Sequence, residues 1–308
     1  MKKIICSLIA LSMLSSALEF QYGSGTFNMN GGFTKQGMSG TVGTDIDTFS
    51  LVDRHTNLVG TDAFYSYDFM WMDSQTLKQA QQNYNNMAGR ANAFLPAASP
   101  WEIPSMDYRV KGLDVNFRAG YDVIHENEDN YLGVGLLVGM SIPWIDSSNS
   151  ATPSGDMIDF LLDNKDSALS LAKLFNKTKT TMMTYKIGPS INFQKSLNEN
   201  ISVYGIGSIA YQTGYIENDY ISSKFSVNGS FQELNMGLYF TPFTDTYKWG
   251  WLTLSPRLYG TLGYKYSKWD VDDITINIFD KFEKKFDPLM MKFGIDSSVG
   301  YAGIGYSF

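Results

Sequence analysis

Apolar and polar residues alternate with a period of two along five stretches of the chain, at 110–123, 131–145, 182–194, 233–240 and 252–265. Because successive side chains of a β-strand point to opposite faces, this period predicts strands with one apolar and one polar face. In the stretch 131–145, Leu137 is the one exception, since it falls among glycine, tyrosine and serine on the other face. The apolar face there consists of Leu132, Val134, Leu136, Val138, Met140 and Ile142.

The predicted strands are long. An average strand has five or six residues, whereas most of the strands predicted along the chain run to roughly eleven to fifteen residues, which is enough for a tilted strand to cross a bilayer. A soluble β-sandwich also alternates, but with shorter strands. Because every backbone polar group must be bonded internally in lipid, a closed barrel is the β-structure that can span it. We therefore predict an all-β fold, a transmembrane antiparallel up-and-down β-barrel.

About ten strands are predicted by counting back from the C-terminal end, and eight or twelve strands stay open because the first fifty residues alternate poorly. The short connections then collect at one end of the barrel, near 53–61, 125–130, 196–200 and 242–248, as periplasmic turns of such barrels do. The predicted strands lie near 20–33, 38–50, 62–72, 110–123, 130–143, 182–195, 201–215, 230–241, 250–268 and 296–308.

The long connections, 73–108, 144–181, 216–229 and 269–290, collect at the other end of the barrel. Two of them carry helical signals. Ser74 can cap a helix over 74–90, where Leu77, Ala80, Tyr84 and Met87 are spaced for one face. Asp156 and Ser167 precede apolar runs that predict a helical hairpin near 154–176. We therefore expect helical insertions in two outer loops.

All six tryptophans lie near predicted strand ends or loops. Aromatic residues at these places are typical of the girdles that mark the two membrane interfaces of a barrel. The residues expected in such girdles are Trp71, Trp101, Trp144, Trp249, Trp251 and Trp269.

The first residues have the order of a secretory signal. Lys2 and Lys3 precede an apolar run over 4–14, and Ser15, Ser16 and Ala17 follow it. The run has about eleven residues, fewer than the ~20 that a spanning helix needs. We predict a signal peptide over 1–17 and a barrel domain over 18–308. Cys6, the single cysteine, would be lost with the signal, which leaves no disulfide in the mature chain.

The last strand ends in an aromatic residue, and alternate positions before it are apolar. Ala302, Ile304, Tyr306 and Phe308 share one face. This ending resembles the C-terminal signature of bacterial outer-membrane β-barrel proteins. The resemblance implies an outer-membrane location and recognition of these four residues by the outer-membrane assembly machinery, with outer-membrane lipid as the surroundings. It covers about nine residues and implies no particular activity.

Composition excludes several classes of function. The net charge is −7, or −9 once the two signal lysines are removed, which argues against a nucleic-acid partner. The two histidines, His55 and His125, both fall in predicted periplasmic turns. No nucleophile elbow, phosphate-binding loop or zinc motif is present. We therefore predict no enzyme activity, no catalytic residues, no metal and no cofactor.

The polar faces of the predicted strands carry charges of both signs, and these would line the lumen. They could form a selectivity lining, or they could pair with one another and fill a narrow barrel. About ten strands favour filling, since wide aqueous channels need sixteen or more. The lumen candidates are Asp68, Asp114, Arg118, Asp122, Lys186, Glu233, Arg257 and Lys265.

Three functional hypotheses follow from the predicted barrel. The first is a non-enzymatic structural barrel that displays its outer loops for surface interaction. The second is a narrow, porin-like conduit for a small or hydrophobic solute, indicated by the charged lumen and the apolar segment 154–176. The third is an outer-membrane hydrolase that would depend on carboxylates such as Asp68 and Asp114.

Overall fold

The computed structural model describes residues 17–33, 38–55, 61–78, 106–124, 130–149, 178–218, 224–243, 245–249, 252–278, 282–286 and 292–307. In these ranges the regular structure consists of β-strands. None of the described residues forms a helix that is long and apolar enough to cross a bilayer. The predicted helical insertions near 74–90 and 154–176 lie almost entirely outside the described residues, as do 1–16 of the predicted signal peptide.

Fourteen strands are described, ten long and four short. The long strands are β1 (Ala17–Phe33), β2 (Met38–His55), β3 (Ala63–Ser74), β5 (Met106–Asp122), β6 (Asn130–Asn149), β7 (Thr178–Asn198), β8 (Ile201–Asn218), β9 (Lys224–Phe240), β12 (Leu258–Ile278) and β14 (Lys292–Ser307). The short strands are β4 (Leu77–Lys78), β10 (Tyr247–Trp249), β11 (Leu252–Leu254) and β13 (Phe282–Phe286).

The ten long strands form one closed antiparallel barrel. Each pairs with its neighbours in the chain, and β12 joins β9 on one side to β14 on the other. The barrel closes between β1 and β14, which pair continuously from Ala17 opposite Ser307 to Gly32 opposite Lys292. The prediction of an up-and-down barrel of ten strands is confirmed, and the alternatives of eight and twelve are wrong.

Side chains alternate between the inside and the outside of the wall as predicted. In β3 every second residue is buried along the whole strand. In β6 the predicted apolar face points outward, with Leu136 58% exposed and Val138 52% exposed, while Leu137 between them points inward and is 0% exposed. The outer surface of the described wall is therefore apolar, and the polar faces point into the barrel.

The strand predicted near 250–268 is present, but it begins and ends later than predicted. Residues 252–254 instead form a small hairpin with 247–249, and β12 runs from Leu258 to Ile278. Between them lies a turn closed by the Leu258 amide, which donates to the Ser255 carbonyl oxygen over 3.0 Å. Pro256 lies inside this turn and cannot donate to a sheet ladder, which gives a physical reason for the break.

The helix predicted to start at Ser74 is also wrong at its start. Ser74 is the last residue of β3, and residues 77–78 continue as a short strand opposite Tyr108 and Asp107. The Ser74 hydroxyl accepts a hydrogen bond of 2.8 Å from the Val110 amide of the neighbouring strand. The side chain that was expected to cap a helix therefore ties two strands together.

The alternation of side chains predicts that the cost in stability of a charged substitution on the outer wall depends on its depth in the membrane. Leu136 lies in the middle of the apolar face, and Leu197, 62% exposed, lies beside the short connection from β7 to β8. Leu136→Arg is expected to lower the free energy of unfolding in lipid vesicles by about 2–4 kcal/mol, because it places a charge in hydrocarbon. The matched Leu197→Arg should cost about 0–1 kcal/mol, since it lies near the interface. Equal losses in urea titrations would contradict this placement of the membrane.

Candidate functional site

The interior of the barrel is built in three levels. The rim at which Ala17 and Ser307 lie is called the terminal rim here, and the opposite one the far rim. Charged side chains from five strands meet at mid-height and, together with the amide of Asn116, form what we call the charged layer. Its members are Asp68 of β3, Asp114, Asn116 and Arg118 of β5, Lys186 of β7, Glu233 of β9 and Lys265 of β12.

Four members of the charged layer form a closed ring of alternating sign. Arg118 contacts Asp68 through Nη1 at 2.7 Å and Glu233 through Nη2. Lys265 Nζ lies 3.0 Å from Asp68 Oδ1 and 3.3 Å from Glu233 Oε1. Each cation thus bridges both carboxylates, and the ring joins β3, β5, β9 and β12 across the lumen. Charges buried in this way are tolerable because every one has an oppositely charged partner.

A second group surrounds Asp114. Its carboxylate accepts hydrogen bonds from the Lys186 ammonium at 2.6 Å, from the Ser141 hydroxyl, and from Asn116 Nδ2 at 2.7 Å. The same Asn116 nitrogen lies 3.1 Å from Asp68 Oδ1 and so links this group to the ring. The charged layer is one connected network, and removing one member leaves others without their partners.

Apolar side chains form a second layer that begins beside the charged layer, where Leu137 lies opposite Arg118 and Val299 opposite Lys265, and extends towards the far rim. Trp269 and Val271 follow Lys265 along β12, and the Trp269 ring packs against Phe231 with centroids 5.5 Å apart. Trp269 is 1% exposed, so the prediction that it belongs to an outer girdle is wrong. The apolar layer comprises Phe27, Ile46, Met70, Met72, Val110, Leu137, Met182, Ala210, Val227, Phe231, Trp269, Val271, Ile295 and Val299.

The apolar layer and the charged layer are in direct contact. Trp269 Nε1 donates to the Ser141 hydroxyl over 2.9 Å, and Lys186 Nζ lies 3.8 Å from the centre of the Phe231 ring. Sequence patterning did not find the apolar layer. The sequence feature that indicated this layer was Leu137, an apolar residue on the inward face of β6.

An arginine with several tyrosines occupies the interior near the terminal rim. Arg54 Nη1 contacts Glu19 Oε2 at 3.0 Å and the Tyr239 hydroxyl, and its guanidinium lies 4.4 Å from the centre of the Tyr204 ring. Arg54 is not among the predicted lumen residues because 53–61 was predicted to be a periplasmic turn, whereas β2 continues to His55.

Six of the eight lumen candidates lie in the charged layer, and two do not. Asp122 lies at the end of β5, where its carboxylate accepts hydrogen bonds from the amides of Ile124 at 3.0 Å and Leu132 at 3.1 Å. It therefore stabilises the connection between β5 and β6. Arg257 lies in the exposed turn before β12, and its carbonyl oxygen accepts from the Ser307 amide at 2.9 Å. Arg257 therefore does not line the lumen, whereas Asp122 lies on the inward side of β5 at the terminal rim and its place in the lumen lining stays a prediction.

Packing leaves little space along the axis of the described interior. Asp114 and Asn116 are 0% exposed, Arg118 is 1% exposed and Lys265 is 6% exposed. A continuous water-filled path would expose the side chains that border it, and the charged and apolar layers expose almost nothing. A groove of about 530 Å³ does exist, but it lies on the outer wall among Phe20, Tyr22, Phe49 and other residues.

The residues expected to signal assembly lie on the outer wall as far as the structure describes them. Ala302, Ile304 and Tyr306 point outward from β14, with Ile304 58% exposed. Phe308 lies outside the described residues. Their recognition by the assembly machinery stays a prediction.

Histidine and metal chemistry receive no support from the described residues. Residues 125–129, including His125, and the side chain of His55 lie outside them. Within the described part of the chain, no three or more His, Cys, Asp or Glu side chains are grouped in a way that could hold a metal ion.

Two tryptophans do lie on the outer wall near the far rim. Trp71 and Trp144 contact each other edge to face with centroids 5.3 Å apart, and Lys179 Nζ lies 4.7 Å from the Trp144 ring. An aromatic pair with a lysine beside it is the arrangement expected at the edge of the hydrocarbon.

The fold is that of outer-membrane β-barrel proteins. The outer membrane protease OmpT of Escherichia coli is similar with a TM-score of 0.50 at 7% identity, over 95% of this chain and 97% of OmpT. Neisserial surface protein A matches at 10% identity over 95% and 99% of the two chains with a TM-score of 0.29. The Pseudomonas putida toluene transporter TodX matches at 9% identity over 97% and 91% with a TM-score of 0.27.

No protein-family model and no curated protein sequence matches the chain. The similarity to OmpT concerns the fold alone, and the activities of these structures are their own. The closed wall of ten strands, its apolar outside and this similarity together give the chain the fold of outer-membrane β-barrel proteins.

The connected network predicts the cost of removing a single charge. Lys186→Met leaves the Asp114 carboxylate buried without its cation, and the free energy of unfolding should fall by about 3–5 kcal/mol in urea titrations. Lys186→Met combined with Asp114→Asn should recover most of this loss, because the buried charge is gone. Arg109→Met breaks an exposed pair with Asp73 at 2.8 Å and serves as a control with a much smaller effect. A double variant no more stable than Lys186→Met would refute the pairing.

Proposed function

We propose that this protein is a non-enzymatic outer-membrane barrel whose rigid, filled wall holds the long segments at the far rim on the cell surface for interaction or envelope integrity. The observation that carries the proposal is the filled interior. The charged layer and the apolar layer fill the lumen one after the other along the barrel axis, and both consist of side chains of the wall itself.

The wall is suited to a scaffold role because its interior contacts join distant strands. Two contacts of the ring, Arg118 with Glu233 between β5 and β9 and Lys265 with Asp68 between β12 and β3, connect strands that are not neighbours in the sheet. Cross-links of this kind resist changes in the cross-section of the barrel. The segments 79–105 and 150–177, which leave the wall at the far rim, are long enough to carry an interaction surface.

The two other hypotheses have less support. A conduit needs an open path along the barrel axis, and the charged and apolar layers fill the space that such a path would occupy. A hydrolase that used Asp68 or Asp114 needs these carboxylates to be reachable, yet Asp68 is 5% exposed and Asp114 is 0% exposed, and both are engaged by cations. A protease activity is a property of OmpT and is not carried over here.

The filled interior predicts the electrical behaviour of the barrel. The full chain reconstituted in planar bilayers should produce no stepwise conductance, because the two layers leave no continuous water path. An open porin in the same bilayers serves as the positive control. Stepwise conductance from the wild-type protein would overturn the scaffold proposal and favour the conduit.

The display role predicts which segments are reachable from outside the cell. Epitope tags inserted after residue 90 or after residue 165 should bind antibody on intact cells, because both segments leave the wall at the far rim. A tag inserted after residue 126, in the connection from β5 to β6 at the terminal rim, should bind antibody only after permeabilisation. The reverse pattern of antibody binding would show that the far rim faces the periplasm.

A further inference from the structure

The apolar outer wall has very different heights on two sides of the barrel. On β6, seven successive outward positions from Leu132 to Trp144 are apolar before Asp146. On β1, three outward positions from Leu18 to Tyr22 are apolar, and Ser24, Thr26 and Asn28 follow. Both strands begin at the terminal rim, so the number of outward rows measures the height of the apolar wall.

These rows convert into distances along the barrel axis. Each row adds about 5 Å, since two residues extend a strand by about 7 Å and the strands tilt by about 40°. The wall around β6, called the tall wall here, is therefore about 30 Å high, and the wall around β1 is about 10 Å high. An outer-membrane barrel has an apolar band about 25 Å tall. The tall wall is high enough to cover this apolar band, and the wall around β1 is too short to cover it.

The neighbours of β1 share its pattern. On β2, Phe49 is followed towards the far rim by Asp47 and Asp45, and on β14 the outward positions beyond Gly300 are Ser298 and Asp296. We call β14, β1 and β2 the short wall. Its polar strip, the outward residues above the apolar rows, consists of Ser24, Thr26, Asn28, Asp45, Asp47, Asp296 and Ser298.

The polar strip lies on the outside of the wall. Its groups are hydrogen-bonded along the wall, with the Tyr22 hydroxyl donating to Asp47 at 3.0 Å and Asn28 Nδ2 donating to Asp296 at 2.9 Å. Ser24, Thr26 and Asp45 are exposed. The strip contains three carboxylates and no cation, so a second copy related by two-fold symmetry would bring like charges together.

Tilting cannot remove the difference between the two walls. A tilt moves both edges of a wall by the same amount and leaves the distance between them unchanged. We therefore propose that the short wall is a lipid-interaction surface beside which the bilayer is locally thinned. Headgroups and water then reach the polar strip along β14, β1 and β2. On the tall wall the bilayer keeps its ordinary thickness.

Two residues in matching rows test the proposal directly. Thr26 occupies the fifth outward row of β1, and Met140 occupies the fifth outward row of β6. Each is replaced by cysteine on a Cys6→Ser background, and the full chain is reconstituted in dioleoylphosphatidylcholine vesicles. A membrane-impermeant maleimide should label Thr26→Cys at least about tenfold faster than Met140→Cys, because hydrocarbon excludes water from the latter.

Each other outcome overturns the proposal. Slow labelling of Thr26→Cys in a monomeric barrel would mean that the strip lies in hydrocarbon of ordinary thickness. Slow labelling together with disulfide cross-linking of Thr26→Cys between barrels would assign the strip to an interface between copies. Fast labelling of both cysteines would mean that the bilayer is thin on all sides.

Stability in bilayers of different thickness provides a second measurement. Asp47→Leu combined with Asp296→Leu extends the apolar face of the short wall. This variant should shift the ratio of unfolding constants between dioleoyl and dilauroyl vesicles by about tenfold in favour of the thicker bilayer. Asp146→Leu, which lies above Trp144 on the tall wall, should leave the ratio unchanged. An unchanged ratio for the double variant would overturn the proposal.

Discussion

Closure of the backbone hydrogen-bond ladder between β1 and β14 is the constraint on which the rest of this structure depends. In hydrocarbon an unpaired strand edge has no water to bond, so the first and last strands must pair along their length, and here they pair from Ala17 to Gly32. Closure separates an inside from an outside, and the alternation of each strand then sorts side chains between them. Every residue of the described wall is either a lipid-facing or an interior residue because of this one pairing.

A closed wall of ten strands has an interior that its own side chains can fill. Long ionic side chains suit this space because they reach across it, as Arg118 does from β5 to Glu233 on β9. Burial of such charges is costly unless each is paired, which accounts for the connected ring and for the Asp114 group beside it. The aromatic and methionine side chains of the apolar layer complete the filling where fewer charges are present. The interior therefore stabilises the wall instead of leaving a path through it.

The outside of the barrel responds to a different constraint, the thickness of the bilayer. The tall wall meets it with seven apolar rows on β6, whereas the short wall has three on β1. The two walls face away from each other, so the barrel presents an apolar surface of a different height to the lipid on each side. The filling of the interior and the unequal heights of the outer apolar wall are independent of each other, because they depend on opposite faces of the same strands.

The sequence by itself determined the class of fold and the direction of most side chains, because a period of two is a local property of an extended chain. It predicted about ten strands and left eight or twelve open. It also placed six charged residues inside the barrel. Only the tertiary structure decided which charges meet, since Asp68 and Lys265 are far apart in the chain and are joined by closure. The same reason explains the inward position of Trp269, the interior role of Arg54 and the turn-capping role of Asp122. Each depends on what lies across the lumen or at a strand end, and no local pattern records that.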